Sequence, residues 1–427
     1  MSESSQESNE LPNSSRGKWQ KDPPFWEGES MISYREARDI LIRYAHSFGA
    51  EQIGLGKASG RVLTETILAD RDYPPFNRAT MDGFAIQYRD WEQGIRHFSI
   101  IETIFAGSLH SRPIGSGECY KIMTGAPVPD GANLVIRRED TEEGNGMMQI
   151  RENIPLGKPY LNIARQGEDL HMSDPVIARP VLCEPPVVAL LASLGKQKVE
   201  VAKLPRVALF TTGNEVVAID EPVNAAQIRN SNYWFLQASL HKWGIMPDRY
   251  QHVLDDKSAL QEALGKVLSS DMIILSGGVS AGDADYVPEI LEASGVRKIF
   301  HKIAIKPGKP VWCGATAEGG LVFALPGNPF SCMVGFTLLI QPWLHSCFGL
   351  PVPTPFGLPL QMARKKKTPL DEFFPVRMTG SPAGASPVAL NGSGDIRMGL
   401  DANALALHPA ESGDLAEGEI VLCYPIG

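Results

Sequence analysis

Three short apolar runs in the middle of the chain each end in a polar, glycine-bearing loop. RVALF runs into TTGNE (211–215), MIIL into SGGVSAGDAD (276–285), and LVFAL into LPGNP (325–329). Two stretches of helical spacing lie between them. SNYWFLQASLHKWG carries Leu236, Leu240 and Trp243 on one face and stops at a glycine. KSALQEALGKVLSS carries Leu260, Ala263, Leu264, Val267 and Leu268 on one face. A further apolar helix is expected around CMVGFTLLI, and RYQHVL reads as a strand. Strands alternating with helices imply a parallel α/β sheet with right-handed crossovers, here over 205–348. In such sheets ligands bind outside the carboxyl ends of the strands, so the three loops are expected along one edge.

The residue types in those loops suit an anion held beside a cation. Gly277 and Gly278 have no Cβ, which lets backbone N–H groups approach a bound anion. Ser276 and Ser280 add hydroxyl donors. Neither a Walker A motif nor G-x-G-x-x-G occurs, which argues against an ordinary P-loop or dinucleotide fold. Glu215, Asp255, Asp283 and Asp285 lie in or near the loops, and carboxylates on adjacent strand ends suit a hard cation such as Mg2+. Asp285 follows the glycine-rich loop directly. Asp256 is read differently: it stands just before a helix and is expected to cap it. HKIAIKPGKP brings Lys302, Lys306 and Lys309 together, with Pro307, Gly308 and Pro310 forming an extended turn from which a lysine can reach an anion.

The flanking sequence has a different texture. Residues 1–30 are rich in Ser, Glu, Asn and Pro and are expected to be a disordered tail. At Ser33 a capping box opens a helix, SYREARDILIRYA. From 60 to 150 short strands such as ECYKIM and NLVIRR, bounded by Gly and Pro, indicate a small β-rich domain. Residues 151–204 are punctuated by proline. After about 350 helical spacing is lost and runs such as EIVLCYP indicate a C-terminal β domain. No internal repeat is evident.

The net charge of -9 lacks the basic surface of a nucleic-acid binder, so any anion must be drawn by local donors. The six cysteines form no C-x-x-C pair and read as buried thiols. With no secretory signal and no apolar stretch long enough to span a bilayer, the expected compartment is the cytoplasm, without membrane association.

The strings MDGFA, TGAPVP, GED, TTGNE, SGGVSAGDADY, KPGKP and LPGNP occur in this order. Together they resemble the molybdopterin molybdenumtransferase family, the MoeA and gephyrin E-domain group, over roughly residues 32–427. The resemblance implies a multidomain α/β plus β architecture. An elongated domain would be built from 31–59 and 151–204. A β-rich domain (60–150) would be inserted into it. A three-layer α/β domain (205–348) would be similar to molybdopterin adenylyltransferase, and a β barrel would follow (349–427).

The implied reaction is Mg2+-dependent insertion of molybdate into adenylylated molybdopterin with release of AMP. The implied assembly is a homodimer with its active site at the subunit interface, and molybdopterin adenylyltransferase is an implied partner. Carried over by motif, Glu215, Asp255 and Asp285 are the metal and phosphoanhydride candidates. Asp82, Thr124 and Asp169 would complete the catalytic set. Ser276, Gly277, Gly278, Ser280, Lys302, Lys306, Gly327 and Asn328 would bind the pterin nucleotide, and Pro326 and Pro329 would shape the pocket wall. Lys309, Ser331, Arg377 and Ser393 would contact molybdate. The chain departs from the pattern at Asn214, where the family often has Asp, which leaves one fewer charge beside Glu215. A tungstate-inserting paralogue and a non-catalytic binding scaffold are the alternative readings.

Overall fold

Ser33 accepts a hydrogen bond from the Glu36 N–H, while the Glu36 carboxylate takes the Ser33 N–H at 2.8 Å. This reciprocal cap opens the helix Tyr34–Arg43, whose Tyr34, Ala37 and Leu41 are buried. The computed structural model describes residues 31–109, 111–178, 180–279 and 286–426. The expected tail at 1–30, with Ser280, Asp283 and Asp285, lies outside them. Two compact units result. One comprises Met1–Thr64, Pro180–Ala189 and Gln197–Gly427, the other Glu65–Arg179 and Leu190–Lys196.

The first unit holds the α/β domain. Its six-stranded sheet has the order Arg249–Val253, Val207–Thr212, Met272–Ser276, Leu321–Leu325, Trp312–Ala315, Arg297–His301. The first four strands are parallel and in register, with Thr211 opposite both His252 and Ser276, and Ser276 opposite Leu325. Trp312–Ala315 runs against them, pairing antiparallel with both Leu321–Leu325 and Arg297–His301. The expected all-parallel sheet is therefore mixed. Thr316 to Gly320 form a tight turn joining Trp312–Ala315 to Leu321–Leu325, and so short a connection can only return the chain antiparallel.

Alternate residues of each parallel strand face opposite sides. Val207, Leu209, Met272, Ile274 and Phe323 join one core with Leu236 and Leu240 of the helix Ser231–His241 and Val334 of the helix Pro329–Gly335. Ala208, Phe210, Ile273, Leu275 and Val322 join the other, with Leu260 and Leu264 of Lys257–Gly265 and Ile290 of Val287–Ala293. Helices on both faces explain why these strands read as unbroken apolar runs. Each fully buried large side chain contributes roughly 1.5–3 kcal/mol. The CMVGFTLLI segment is helical throughout, but it passes through a π-turn at Phe336–Ile340 before the helix Gln341–Cys347.

The same unit carries a small sheet built from distant segments, in the order Ala50–Gly54, Lys198–Ala202, Val62–Leu63, Val181–Leu182. In the C-terminal sheet, Asp371–Gly380 pairs with Ala404–His408 and Ala383–Pro387. Ala404–His408 in turn pairs with Ile420–Pro425, and Ile420–Pro425 with Phe356–Pro359. Leu360 then bridges Ala385 of the strand at the far edge. A two-residue strand from the lysine turn, Ile305–Lys306, adds to this sheet beside Asp371 and Glu372.

The second unit is centred on a six-stranded sheet with apolar side chains packed on both faces. Phe84, Ile86 and Leu134 lie in one cluster, Ala85, Tyr120 and Val135 in the other. The glycine of MDGFA is needed here: a Cβ on Gly83 would stand 1.8 Å from the Ile136 carbonyl oxygen of the paired strand. Among the described residues no helix is long and apolar enough to cross a membrane. All six cysteines are buried and free.

Candidate active site

Because Thr212, Val253, Ser276 and Leu325 end their strands within one residue of the same level, the loops that follow open at one edge of the sheet. There they line a cleft of about 1330 Å³ within the first unit, closed on its other side by the C-terminal sheet. Of the expected residues, Glu215, Asp255, Ser276, Gly277, Gly278, Lys306, Lys309, Pro326, Gly327, Asn328, Pro329, Ser331 and Ser393 all line it.

The glycine-rich loop is held against the neighbouring strand end. Gly277 has a φ of 107°, and a Cβ there would lie 2.6 Å from the Thr212 hydroxyl and 2.8 Å from the Thr212 carbonyl oxygen. Only glycine tolerates both the left-handed backbone and the approach. Its N–H donates to the Leu325 carbonyl at 3.0 Å, so that donor is committed to the sheet and not to a ligand. The Ser276 hydroxyl is committed as well. It is buried, accepts from the Asn232 amide at 2.8 Å and approaches the Pro326 carbonyl at 3.5 Å. Ser276 therefore ties loops together instead of offering a free donor.

Asp255 pairs with the neutral Asn214 across two loops. The Asn214 N–H donates to the Asp255 carboxylate at 3.2 Å, and the Asp255 N–H donates to the Asn214 side-chain oxygen at 3.0 Å. Glu215 folds toward Gly213, where a Cβ would meet its carboxylate oxygens at 2.7 and 2.9 Å. Among the described residues no group of three or more His, Cys, Asp or Glu side chains is placed to hold a metal ion. Asp256 caps the helix Lys257–Gly265, accepting from the Ala259 N–H at 2.7 Å as expected.

Five cationic side chains line the cleft among the described residues: Arg229, Lys306, Lys309, Arg364 and Lys367. They face three carboxylates, on Glu215, Asp255 and Glu372. Among the described residues, a chain of net negative charge thus presents a cleft lining in which cations outnumber carboxylates. Lys306 and Lys309 are exposed on the KPGKP turn, which carries a cis Lys306–Pro307 bond and Gly308 at φ 103°. On the far wall Arg364 pairs with Glu372 at 2.8 Å and stacks 4.3 Å from the Phe374 ring centre. The paired Glu372 oxygen lies within charge range but off the hydrogen-bond direction. Its other oxygen accepts from the Lys367 N–H and the Thr368 hydroxyl. Burial alone would raise the Glu372 carboxyl, but Arg364 and these donors hold it below the usual range. Asn328 donates to the Ser393 hydroxyl at 3.1 Å, and the Phe330 N–H donates to the Ser393 carbonyl, which docks the 391–394 loop on LPGNP.

Lys302 and Arg377 are not brought to the cleft. Lys302 takes a left-handed backbone (φ 67°) where the main chain bonds back to Val311. Arg377 is exposed on a strand opposite Ser386. Asp82, Thr124 and Asp169 belong to the second unit. There Asp82 accepts from the Thr124 hydroxyl at 2.6 Å and the Thr124 N–H at 2.7 Å, and these bonds hold its carboxyl below the usual value. The Asp169 N–H donates to the Tyr73 carbonyl.

Sequence reasoning missed Thr212, Asn232, Arg364, Lys367 and Glu372. The basic run ARKKK (363–367), shortly before an acid at the start of a strand, was the available signal for the last three.

Residues 208–346 match the family described as "Probable molybdopterin binding domain", and residues 32–195 match "MoeA N-terminal region (domain I and II)". The chain is 33% identical over 404 residues to the molybdopterin molybdenumtransferase of Staphylococcus aureus (strain Mu50), covering 92% of this chain and 96% of that protein. The enzyme of the same name from Staphylococcus epidermidis (strain RP62A) is 33% identical over 405 residues, with the same coverage. Among solved structures, the molybdopterin biosynthesis moeA protein from Pyrococcus horikoshii OT3 superposes with a TM-score of 0.80 at 28% identity, covering 92% of this chain and 99% of that one.

Proposed function

The chain belongs to the molybdopterin molybdenumtransferase family, transferases of molybdenum cofactor biosynthesis, and on that premise we propose that its cleft joins molybdate to adenylylated molybdopterin with release of AMP. One observation carries this reading. A single cleft brings together a glycine-rich loop, two lysines and two carboxylates at the carboxyl edge of the sheet. Lys306 and Lys309 neutralise the phosphoanhydride and the oxyanion. The N–H of Gly278, which meets no acceptor among the described residues, adds a donor without side-chain bulk. Asn328, Ser331 and Ser393 supply the small polar wall that a tetrahedral oxyanion needs.

Magnesium fits the donor set. It is commonly held by one or two carboxylates together with substrate phosphates, and Glu215 and Asp255 offer such oxygens. Asp285 is proposed as a third on its place after the glycine-rich loop. When bound, the ion supplies charge neutralisation at the phosphoanhydride.

Asp82 and Thr124 form a preorganised exposed pair, which supports a homodimer in which this pair completes the partner's cleft. The paired C-terminal strands, linked back through Leu360 and Ala385, support reading that domain as a barrel.

AMP release from adenylylated molybdopterin with molybdate tests the reaction. Asp255→Asn, Asp285→Ala and Lys306→Met should each lower it by about 100-fold or more. Full activity in all three folded variants overturns the reading. Mixing inactive Asp82→Ala with inactive Asp255→Asn tests the shared site. Recovery of about a quarter of wild-type activity is expected of a statistical dimer, and no recovery rejects it.

A further inference from the structure

Asn232 stands in the first turn of the helix Ser231–His241 and is only 8% exposed, yet it lines the cleft. Its amide nitrogen donates to the Ser276 hydroxyl at 2.8 Å and to the Gly327 carbonyl at 2.7 Å. A carbonyl can only accept, so the amide orientation is fixed and both of its donors are spent. The side-chain oxygen is left buried with no partner among the described residues. Such an orphan is costly unless a donor reaches it when the site is filled. The Thr212 hydroxyl is also buried without a partner among the described residues, but a hydroxyl serves either role and selects nothing. The Asn232 oxygen can only accept, which excludes an anion and leaves an N–H or O–H donor or a hard cation; the carboxylates suited to a cation, Glu215 and Asp255, stand on other loops than the SGG and LPGNP loops that Asn232 joins, which favours the donor.

Three glycines line the cleft on the two loops that Asn232 joins. Gly277, Gly278 and Gly327 line the same part of the cleft, and a Cβ built on Gly327 would lie 3.5 Å from the Gly277 Cα. Adjacent glycines leave a flat surface on which a planar ring can lie. We propose that Asn232 is a specificity-determining residue whose side-chain oxygen accepts a hydrogen bond from the exocyclic amino group of a planar heterocycle in the bound substrate. This rests on the proposed substrate, which carries such amino groups on both its pterin and its adenine ring. The remaining donors of Asn232 act on the protein alone, joining the SGG loop to LPGNP.

Equilibrium binding with two ligand pairs tests this and separates the two rings. One pair is AMP against purine riboside 5′-monophosphate, which lacks the amino group. The other is pterin-6-carboxylate against its 2-deamino counterpart. In one pair the wild type should bind the amino ligand about 10- to 100-fold more tightly, the cost of leaving one buried acceptor unmet. Asn232→Leu should abolish that preference. Ser276→Ala loosens the loop tie but keeps the acceptor, and should retain the preference even where overall affinity falls. Equal binding within both pairs by the wild type overturns the assignment and leaves the proposed reaction standing. A preference unchanged in Asn232→Leu overturns it too. Failure of every nucleotide and pterin to bind overturns both this assignment and the proposed substrate.

Discussion

Asn214 and Asp255 hold each other by two reciprocal hydrogen bonds, the main-chain N–H of each donating to the side-chain oxygen of the other. The pair locks the loop after Val207–Thr212 to the loop after Arg249–Val253. It also sets the charge of the cleft. With asparagine at 214, Asp255 has a neutral neighbour where a second carboxylate would make the same bond.

Asn214→Asp keeps the acceptor for the Asp255 N–H and adds a charge beside the proposed magnesium donors. The added attraction is screened at this exposed position, so the magnesium concentration for half-maximal AMP release should fall by about five-fold, not by orders of magnitude. A magnesium titration of both proteins reads this directly. A half-saturation point that is unchanged or higher rules out the electrostatic role given to position 214.

Gly277 and Gly327 are neighbours with opposite tolerances. A methyl group on Gly277 collides with the Thr212 main chain and meets a positive φ, whereas one on Gly327 makes an ordinary contact. Gly277→Ala should cost about 1–3 kcal/mol and displace the loop. Gly327→Ala should stay within about 0.5 kcal/mol of wild type. Urea unfolding measures both, and equal losses would contradict the packing argument.

The parallel strands and their loops were legible in the sequence because strands buried on both faces leave no polar gap, and Gly-bearing loops mark their ends. The Ser33 and Asp256 caps were legible for a similar reason, since each acts within four residues. What escaped was set by long-range pairing. Ile305 and Lys306 form a strand with Asp371 and Glu372, a partnership that no local periodicity announces. Arg364, outside any strand, meets Glu372 at the cleft because an isolated bridge to Leu415 holds its loop against the sheet. The commitment of the Ser276 hydroxyl and the Gly277 N–H was equally hidden, because spacing identifies a donor but not the neighbour that already occupies it. Lys302 and Arg377 show the converse, residues of the right type whose backbone places them elsewhere.

Asp255 and Asp256 separate function from stability at adjacent positions. Asp256→Ala removes a helix cap and should lower stability by about 1 kcal/mol with AMP release unchanged. Asp255→Asn should do the reverse. Thermal or chemical unfolding beside the activity assay distinguishes them, and loss of activity in Asp256→Ala would falsify the division of roles.

Behind the cleft wall, His408 is fully buried. Its Nε2–H donates to the Gly413 carbonyl at 2.7 Å, which leaves Nδ1 to accept from Arg364. Burial holds its pKa below the ordinary value, the Gly413 carbonyl opposes this, and the charges of Lys366 and Arg364 push it lower. Burial also lowers His301 and His345. A histidine with a depressed folded pKa gives its full stability above about pH 6.5. That stability is lost as pH falls beneath this value, because the unfolded chain takes the proton first. Glu372, also depressed, has the same sign but acts in a lower window, from the usual glutamate value of 4.5 downward. Stability measured by urea midpoint should therefore fall in two limbs. The upper one, between pH 7 and 5, has a slope approaching ~1.4 kcal/mol per pH unit for each titrating histidine. His408→Gln removes one proton site and should flatten part of the upper limb while leaving the limb below 4.5 in place. A flat wild-type curve between pH 7 and 5, or an undiminished slope in His408→Gln, would show that the neutral ring is not what the fold requires.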